Sequence, residues 1–160
     1  SELISQEQAL IYSGPLDSFF GYCEGRLGWR SVEFMFETID QATFQSRAVI
    51  NFPEVKIPYT RIHEFKHLHP ECEHKTSQTV IAMEFSKLTE YASDPYYPIN
   101  TPADRIISEK YLQLAKARSN LIVGGRLGRY QYLDMHMAIG NALYVFNNEI
   151  PSLFKRLGII

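Results

Sequence analysis

The sequence predicts an α+β fold in which an antiparallel β-sheet is followed by a helix–strand–helix segment. Short stretches of alternating polar and apolar residues recur up to about residue 100, and the short connections between them favour antiparallel pairing. Beyond that point, apolar residues recur at helical spacing on either side of one short apolar run. No internal repeat and no linker rich in Pro, Gly or Ser interrupts the 160 residues, so we expect one continuous piece.

The strands are predicted in chain order from these patterns. Residues 9–12 form a short apolar run that ends at the turn signal Ser13-Gly14-Pro15, and residues 15–22 suit a short helix. Further strands are predicted at residues 30–37, 47–52, 59–67 and 79–85.

The helix–strand–helix segment begins with a strong helix-start signal. Thr101 can cap the first turn, Pro102 fits the first helical position, and Asp104 suits the positive end of the helix dipole. Residues 121–123 form an apolar strand, and a second helix is predicted to begin near Leu133. The apolar face of that helix would consist of Met135, Ile139, Ala142, Leu143 and Phe146.

The composition excludes several classes of partner. With a net charge of -2, no general basic field attracts nucleic acid or an anionic membrane surface. The apolar runs are far shorter than the roughly 20 residues of a membrane span. The first residues carry neither a basic region nor a long apolar stretch, so no signal peptide is expected and the cytoplasm is the expected location. Cys23 and Cys72 are expected to be reduced thiols.

Two features indicate a binding site for an anion. Glycines at 124, 125 and 128 follow a strand and precede a helix, although their spacing alone favours a tight turn over a dinucleotide site. Arg30, Arg61 and Arg126 lie beside strand or turn signals, and each offers the planar fork of donors that matches phosphate oxygens. If they converged, they would form a diphosphate or carboxylate pocket, but any one of them taken alone is more often a surface residue or part of an ion pair.

A cluster of histidines leaves a metal-binding structural domain open as an alternative. His63, His67 and His69 would share one face if the fourth strand continued, and Cys72 and His74 follow. The spacing matches neither a zinc finger nor the helical zinc-protease pattern, so no metal is expected.

Five segments in order resemble bacterial UDP-galactopyranose mutases, especially those of actinobacteria. They are YSGPLD at 12–17, GRLGWRS at 25–31, PYTRIHEFKH at 58–67, PYYPIN at 95–100 and GGRLGRYQYLDMH at 124–136. The similarity extends from about residue 9 to about residue 147.

The resemblance implies a partial FAD-linked mutase fold that lacks the N-terminal Rossmann half. Residues 1–160 would form a single C-terminal fragment, with residues 9–100 mainly antiparallel sheet and residues 101–160 the last helix–strand–helix of the flavin domain. The helical domain of the family, with its mobile loop, would also be missing. The surface left uncovered is expected to favour a homo-oligomer.

The reaction that the resemblance implies interconverts UDP-galactopyranose and UDP-galactofuranose, with UDP-galactose as the small-molecule substrate and reduced FAD as cofactor. We expect the whole protein to be an isomerase, and the chain by itself to be inactive and without FAD. The alternative is a non-catalytic module that binds a nucleotide sugar or serves assembly.

Site residues follow from the matched segments. The expected catalytic residues are Arg61 and Arg30. The expected substrate-binding residues are Asn51, Arg61, Tyr97 and Tyr132. The expected cofactor-binding residues are Arg126, Tyr132, Leu133, Asp134 and Met135. Met83 departs from the family pattern, which usually has Arg or Lys there.

Overall fold

The computed structural model describes residues 8–72, 76–89 and 94–159. The chain forms two compact units, the first made of Ser1–Arg30 with Thr89–Ile160 and the second of Ser31–Leu88. Together they combine an antiparallel sheet with a small number of helices, so the chain is of the mixed α and β class.

The described strands are β1 (Leu10–Tyr12), β2 (Trp29–Ile39), β3 (Val49–Asn51), β4 (Arg61–His63), β5 (Thr79–Leu88), β6 (Tyr97–Pro98) and β7 (Leu121–Val123). The described helices are α1 (Leu16–Phe19), α2 (Pro102–Lys116), α3 (Gly125–Gly128), α4 (Met135–Tyr144) and α5 (Ile150–Arg156). A 3₁₀ helix spans Phe65–Leu68, and a π-helical turn, Val145–Glu149, joins α4 to α5.

The second unit is built on the antiparallel sheet. Its strand order is β3-β4-β5-β2, and β4 pairs antiparallel with both β3 and β5. The core of this unit is a cluster of Ile62, Ile81 and Met83. Met83 is a buried apolar contact in this cluster, as its flexible thioether allows.

The first unit contains the helices and a separate pair of parallel strands. Strand β1 pairs with β7, so that Ile11 lies opposite Ile122, and β6 pairs with the first residues of β2. One core cluster contains Leu16, Leu27, Trp29, Tyr111 and Tyr130. A second cluster contains Ile122, Val145 and Leu153.

The start of α2 is as predicted. The hydroxyl oxygen of Thr101 accepts a hydrogen bond from the backbone N–H of Asp104 at 3.1 Å, and the Asp104 carboxylate accepts one from the N–H of Thr101 at 3.0 Å. Pro102 follows at the first helical position. This reciprocal capping satisfies two backbone donors that the helix cannot satisfy itself.

Two strand predictions need correction. The strand predicted at residues 59–67 ends at His63, because the buried Glu64 turns the chain and pairs with both Lys66 and His67. The strand at residues 9–12 exists but is not part of the antiparallel sheet, because its partner β7 is parallel to it. A parallel partner needs a long connection, which sequence periodicity does not reveal.

The predicted apolar face of the second helix exists but is not a core face in the described residues. Exposed fractions are 81% for Met135, 59% for Ile139, 57% for Leu143 and 64% for Phe146.

Within the described ranges, no helix combines the length and the apolarity needed to cross a bilayer.

Candidate functional site

Three side chains of the first unit form what we call the arginine–tyrosine cluster: Tyr97, Arg126 and Tyr132. The guanidinium carbon of Arg126 lies 5.1 Å from the ring centre of Tyr97 and 4.9 Å from that of Tyr132. The two rings are themselves stacked, with centres 6.0 Å apart and planes at 26°. A planar cation against two aromatic faces is held in one orientation, and it keeps donors at its edge for a ligand.

The glycine turn brings Arg126 to this position. Gly125 has a φ of 73°, a left-handed conformation that residues with a side chain rarely adopt. At Gly128 a Cβ atom would lie 3.0 Å from the backbone oxygen of Tyr12, so only glycine lets α3 pack this closely on the end of β1. An Nη2–H of Arg126 then donates to the Leu133 carbonyl at 2.6 Å, which closes the loop between α3 and α4.

Arg30 lies on the strand next to the cluster. It is the cross-strand partner of Tyr97, and its carbonyl accepts the N–H of Tyr96 at 2.9 Å. Residues directly opposite each other on paired strands project to the same face of the sheet. The structure therefore brings together four of the predicted site residues of the first unit, namely Arg30, Tyr97, Arg126 and Tyr132.

The remaining predicted residues of the first unit follow directly in sequence. Leu133 is buried and contributes its carbonyl to the Arg126 contact. Asp134 occupies the N-cap position of α4 but makes no side-chain capping bond, and Met135 opens the helix with 81% of its surface exposed. This helix end therefore presents an exposed carboxylate and the free backbone N–H groups of its first turn.

The second unit contains Arg61 and Asn51, which are paired across β3 and β4. Arg61 Nε lies 3.3 Å from Oε1 of Glu84, and Nε2 of His63 lies 3.1 Å from the other oxygen of the same carboxylate. The Nε–H of Arg61 is not aligned for a hydrogen bond, so its contact with Glu84 is ionic. With 39% of the Arg61 side chain exposed, the guanidinium remains accessible to a ligand.

Among the described residues, His63, His67 and His69 do not form a common site. His63 contacts Glu84, His67 contacts Glu64 and His69 contacts Glu71, which are three different carboxylates. The idea that these histidines share one face of a strand is wrong, because the strand ends at His63 and a 3₁₀ helix follows. In the part of the chain that is described, no three metal-ligating side chains come together. His74 lies outside the described residues.

Two residues beside the predicted site were missed by sequence reasoning. Glu84 contacts Arg61 only because β4 and β5 pair in this register, and the sequence does not specify register between distant strands. Tyr130 lies within the matched segment 124–136, but its side chain points into the core, where it is 4% exposed. A buried tyrosine usually finds a hydrogen-bond partner, and that rule was the one available signal.

The arginine–tyrosine cluster and the residues around Arg61 each have the chemistry to bind a phosphorylated ligand. Guanidinium groups donate in a fixed plane to phosphate oxygens, and tyrosine hydroxyls can add a hydrogen bond beside an apolar ring. In a chain with a net charge of -2, such affinity must come from local groups of this kind.

Comparison with known proteins identifies the family. The family described as UDP-galactopyranose mutase matches residues 1–132. A probable UDP-galactopyranose mutase of Klebsiella pneumoniae is 42% identical over 144 residues, which cover 90% of this chain and 37% of that protein. The dTDP-fucopyranose mutase of Escherichia coli is 36% identical over 155 residues, covering 92% and 41%. The UDP-galactopyranose mutase of Mycoplasma pneumoniae is 36% identical over 138 residues, covering 84% and 34%.

The chain spans between 34% and 41% of the length of these three relatives. The match nevertheless extends over most of the chain itself and includes the segments that build β2, β4, β6 and α3. This chain belongs to the UDP-galactopyranose mutase family.

Proposed function

We propose that this chain supplies diphosphate- and flavin-contacting residues to a flavin-dependent mutase that interconverts UDP-galactopyranose and UDP-galactofuranose. The observation that carries the proposal is the arginine–tyrosine cluster, in which Arg126 lies over two tyrosine rings within a segment that the family shares. Such a cluster has the donors and the flat apolar surface that a nucleotide diphosphate or a flavin ring requires.

The substrate we propose carries UDP and galactose. Family membership and the 42% identical relative support this choice, whereas the relative named for dTDP-fucopyranose is 36% identical. Both substrates pair a pyrimidine nucleoside diphosphate with a hexose, so the groups that meet the diphosphate do not distinguish between them. A direct comparison of the two substrates is therefore needed to identify the sugar and the base.

The chain's own residues would stabilise charge on the leaving diphosphate. We assign this role to Arg61 and Arg30, the catalytic residues of the proposal, and to the hydroxyl groups of Tyr97 and Tyr132. Negative charge grows on the phosphate as the bond to the sugar breaks, and fixed cations lower the barrier most when they do not have to reorient. Asn51, the strand partner of Arg61, would contact the sugar.

The residues around α4 fit a flavin. A Cβ atom added at Gly124 would meet nothing within 4 Å, and Gly124 lines a cavity together with Ile139 and Ala142 of α4. Arg126, Tyr132, Leu133, Asp134 and Met135 would hold FAD there, the last two at the exposed start of a helix whose N–H groups favour an electron-rich ring edge. Reduced FAD would supply the nucleophile of this chemistry when bound, and the residues of the chain would orient the sugar.

The test is turnover by the whole protein that contains this chain. With FAD reduced by dithionite, UDP-galactofuranose should be converted to UDP-galactopyranose, and dTDP-fucofuranose should be converted at a lower kcat/KM. Equal or higher kcat/KM for the fucose substrate would reassign the sugar. Loss of turnover with both substrates, together with retained binding of UDP, would support the alternative of a binding module.

The chain by itself should behave as part of a site. We propose that it forms no stoichiometric complex with FAD and shows no turnover. A yellow complex that survives gel filtration, with mutase activity, would contradict this.

We also propose that the protein self-associates. The exposed apolar face of α4 supports this, because large apolar patches on a protein surface mark contacts with other chains. Analytical ultracentrifugation at two concentrations distinguishes a monomer from an oligomer.

A further inference from the structure

Tyr130 joins three segments of the first unit through one hydroxyl group. The hydroxyl donates to the carbonyl of Gly28 at 2.6 Å and accepts the backbone N–H of Asn100 at 3.1 Å. The ring is 4% exposed and packs edge-on against Trp29, with ring centres 4.8 Å apart and planes at 83°. The hydroxyl therefore hydrogen-bonds two backbone groups that are distant in sequence, and the Asp104 carboxylate lies beside it.

Each joined segment carries residues of the proposed site. Gly28 lies two residues before Arg30, Asn100 lies three residues after Tyr97, and Tyr130 itself lies between Arg126 and Tyr132. We propose, on the basis of the function proposed above, that Tyr130 is a positioning residue that fixes Arg30 and the residues of the arginine–tyrosine cluster relative to one another. It acts through the backbone and touches no ligand.

The local backbone supports this role. Asn100 and Tyr130 have φ angles of 62° and 49°, so both residues linked by this hydrogen bond are in the left-handed conformation. Residues with a side chain adopt it at a cost and keep it only where their surroundings hold them there. Asparagine tolerates this conformation, but a bulky tyrosine does not favour it, so the φ of Tyr130 indicates that the geometry at this hydrogen bond is constrained.

Gly28 is held equally tightly on its other side. Its N–H donates to Oδ1 of Asp104 at 2.9 Å, and its carbonyl also accepts the N–H of Ile99 at 2.9 Å. A Cβ atom at this position would lie 3.0 Å from the Asp104 carboxylate, so the backbone approaches α2 as closely as glycine permits. Together with these contacts, the hydrogen bond from Tyr130 restricts the backbone at Gly28, directly before β2 and Arg30.

The hydroxyl keeps its proton over the working pH range. Burial, together with the neighbouring Asp104 carboxylate, raises the pKa of Tyr130 to about 12, and hydrogen bonds lower the pKa of Asp104 itself, so the hydroxyl remains a donor to Gly28 beside an ionised carboxylate at neutral pH. The joint is therefore not a pH switch, and its effect on the site should be the same from pH 6 to pH 9.

Tyr111 offers a matched control. Its hydroxyl also joins two backbone groups, since it donates to the Gly25 carbonyl at 2.7 Å and accepts the N–H of Glu24 at 2.8 Å. Its ring is fully buried in the same core cluster as Tyr130. The segment it anchors is five or six residues before Arg30, and both hydrogen bonds of the Tyr111 hydroxyl go to that segment, not to those of Tyr97 or Arg126.

The experiment compares Tyr130→Phe with Tyr111→Phe in the whole enzyme. Each variant loses one hydroxyl and two hydrogen bonds, so we expect similar decreases in Tm. Only Tyr130→Phe should lower kcat for UDP-galactofuranose, by about tenfold or more, since a small misplacement of charge-stabilising groups slows the reaction more than it weakens binding. KM should change less than threefold. The ratio of the kcat values of the two variants should stay constant from pH 6 to pH 9.

Hydrogen exchange provides a readout that does not depend on the proposed function. The amide of Asn100 should exchange at least about tenfold faster in Tyr130→Phe, and that of Glu24 in Tyr111→Phe. If exchange changes as expected but both variants turn over at equal rates, the positioning role is wrong while the mutase function stands. If the wild-type enzyme has no mutase activity, the proposed function fails instead. Unchanged exchange at Asn100 would show that the Tyr130 hydroxyl does not hold this segment, and the proposal would be wrong.

Discussion

Arg61 and Glu84 lie directly opposite each other on strands β4 and β5, with Nε of the arginine 3.3 Å from Oε1 of the glutamate. The second oxygen of Glu84 is held by His63, and the Thr60 hydroxyl donates to the Glu84 backbone carbonyl at 3.1 Å. The carboxylate is 9% exposed, so it is a fixed anchor for a cation that is itself 39% exposed. This arrangement holds the Nε end of Arg61 against a fixed carboxylate.

Glu84→Gln should impair the mutase without unfolding it. The amide keeps the shape of the side chain but removes the charge that holds Arg61, so kcat/KM should fall about tenfold. Glu33→Gln is the control, because it removes a carboxylate of the same unit whose pair with Lys87 is exposed. Equal activity of the two variants would show that Glu84 does not position Arg61.

Arg126→Lys should weaken the binding of FAD or UDP by about tenfold in the whole enzyme. Lysine keeps the charge but loses the planar contact with Tyr97 and Tyr132. Arg118→Lys is the matched control, because Arg118 lies over the rings of Phe19 and Phe20 at 5.5 and 5.4 Å, away from the cluster. Titration followed by flavin fluorescence and calorimetry measures both affinities. Equal losses in the two variants would remove the cluster from the binding site.

Glu64 should make stability depend on pH in the acidic range. Burial alone would raise its pKa, but hydrogen bonds from the Gln45 N–H, the Thr79 hydroxyl, the Phe44 N–H and Lys66 together lower it from 4.5 to about 2. Because the folded pKa lies below the unfolded one, the stabilisation is present above pH 4.5 and is lost as the pH falls toward 2. About 2 kcal/mol of unfolding free energy should disappear between pH 6 and pH 3.

Glu64→Gln is the comparison for that prediction. The variant cannot ionise, so its stability deficit relative to wild type should shrink by the same amount over this pH range. Urea unfolding at both pH values measures the two curves. A deficit that stays constant would show that Glu64 does not carry the effect.

Thr101→Ala should destabilise the first unit by about 1 kcal/mol, because the N–H of Asp104 loses its acceptor at the start of α2. Thr101→Ser keeps the hydroxyl and should cost much less. Chemical denaturation of both variants compares them directly, and equal losses would exclude the hydroxyl as the cause.

The sequence predicted local structure well where the signal was local. The cap at Thr101, the strand of residues 121–123 and the helix after Leu133 all depend on neighbours within a few positions, and the structure contains each of them. The pairing of the strands was harder to predict from the sequence. The parallel partner of Leu10 is Leu121, and the contact between Arg61 and Glu84 arises from register, which periodicity alone does not fix.

The site residues were predicted from the resemblance to a family, and the structure adds the contacts that hold them in place. Nothing in the spacing of Tyr130 distinguishes its buried hydroxyl from the exposed ring of Tyr132, because both follow the same glycine turn. Their difference appears only once the segments before β2 and after β6 are in place, since Gly28 and Asn100 supply the partners of Tyr130.

Turnover of UDP-galactofuranose by the Arg61→Ala variant of the whole enzyme tests the central claim most directly. Arg47→Ala is the control, since Arg47 is an exposed arginine of the same unit whose Nη1 donates to the carbonyl of Ser46 at 3.2 Å. The account predicts that Arg61→Ala loses at least about a hundredfold in kcat while Arg47→Ala keeps wild-type rates. Turnover of Arg61→Ala within threefold of wild type, with the substrate and FAD both bound, would contradict it.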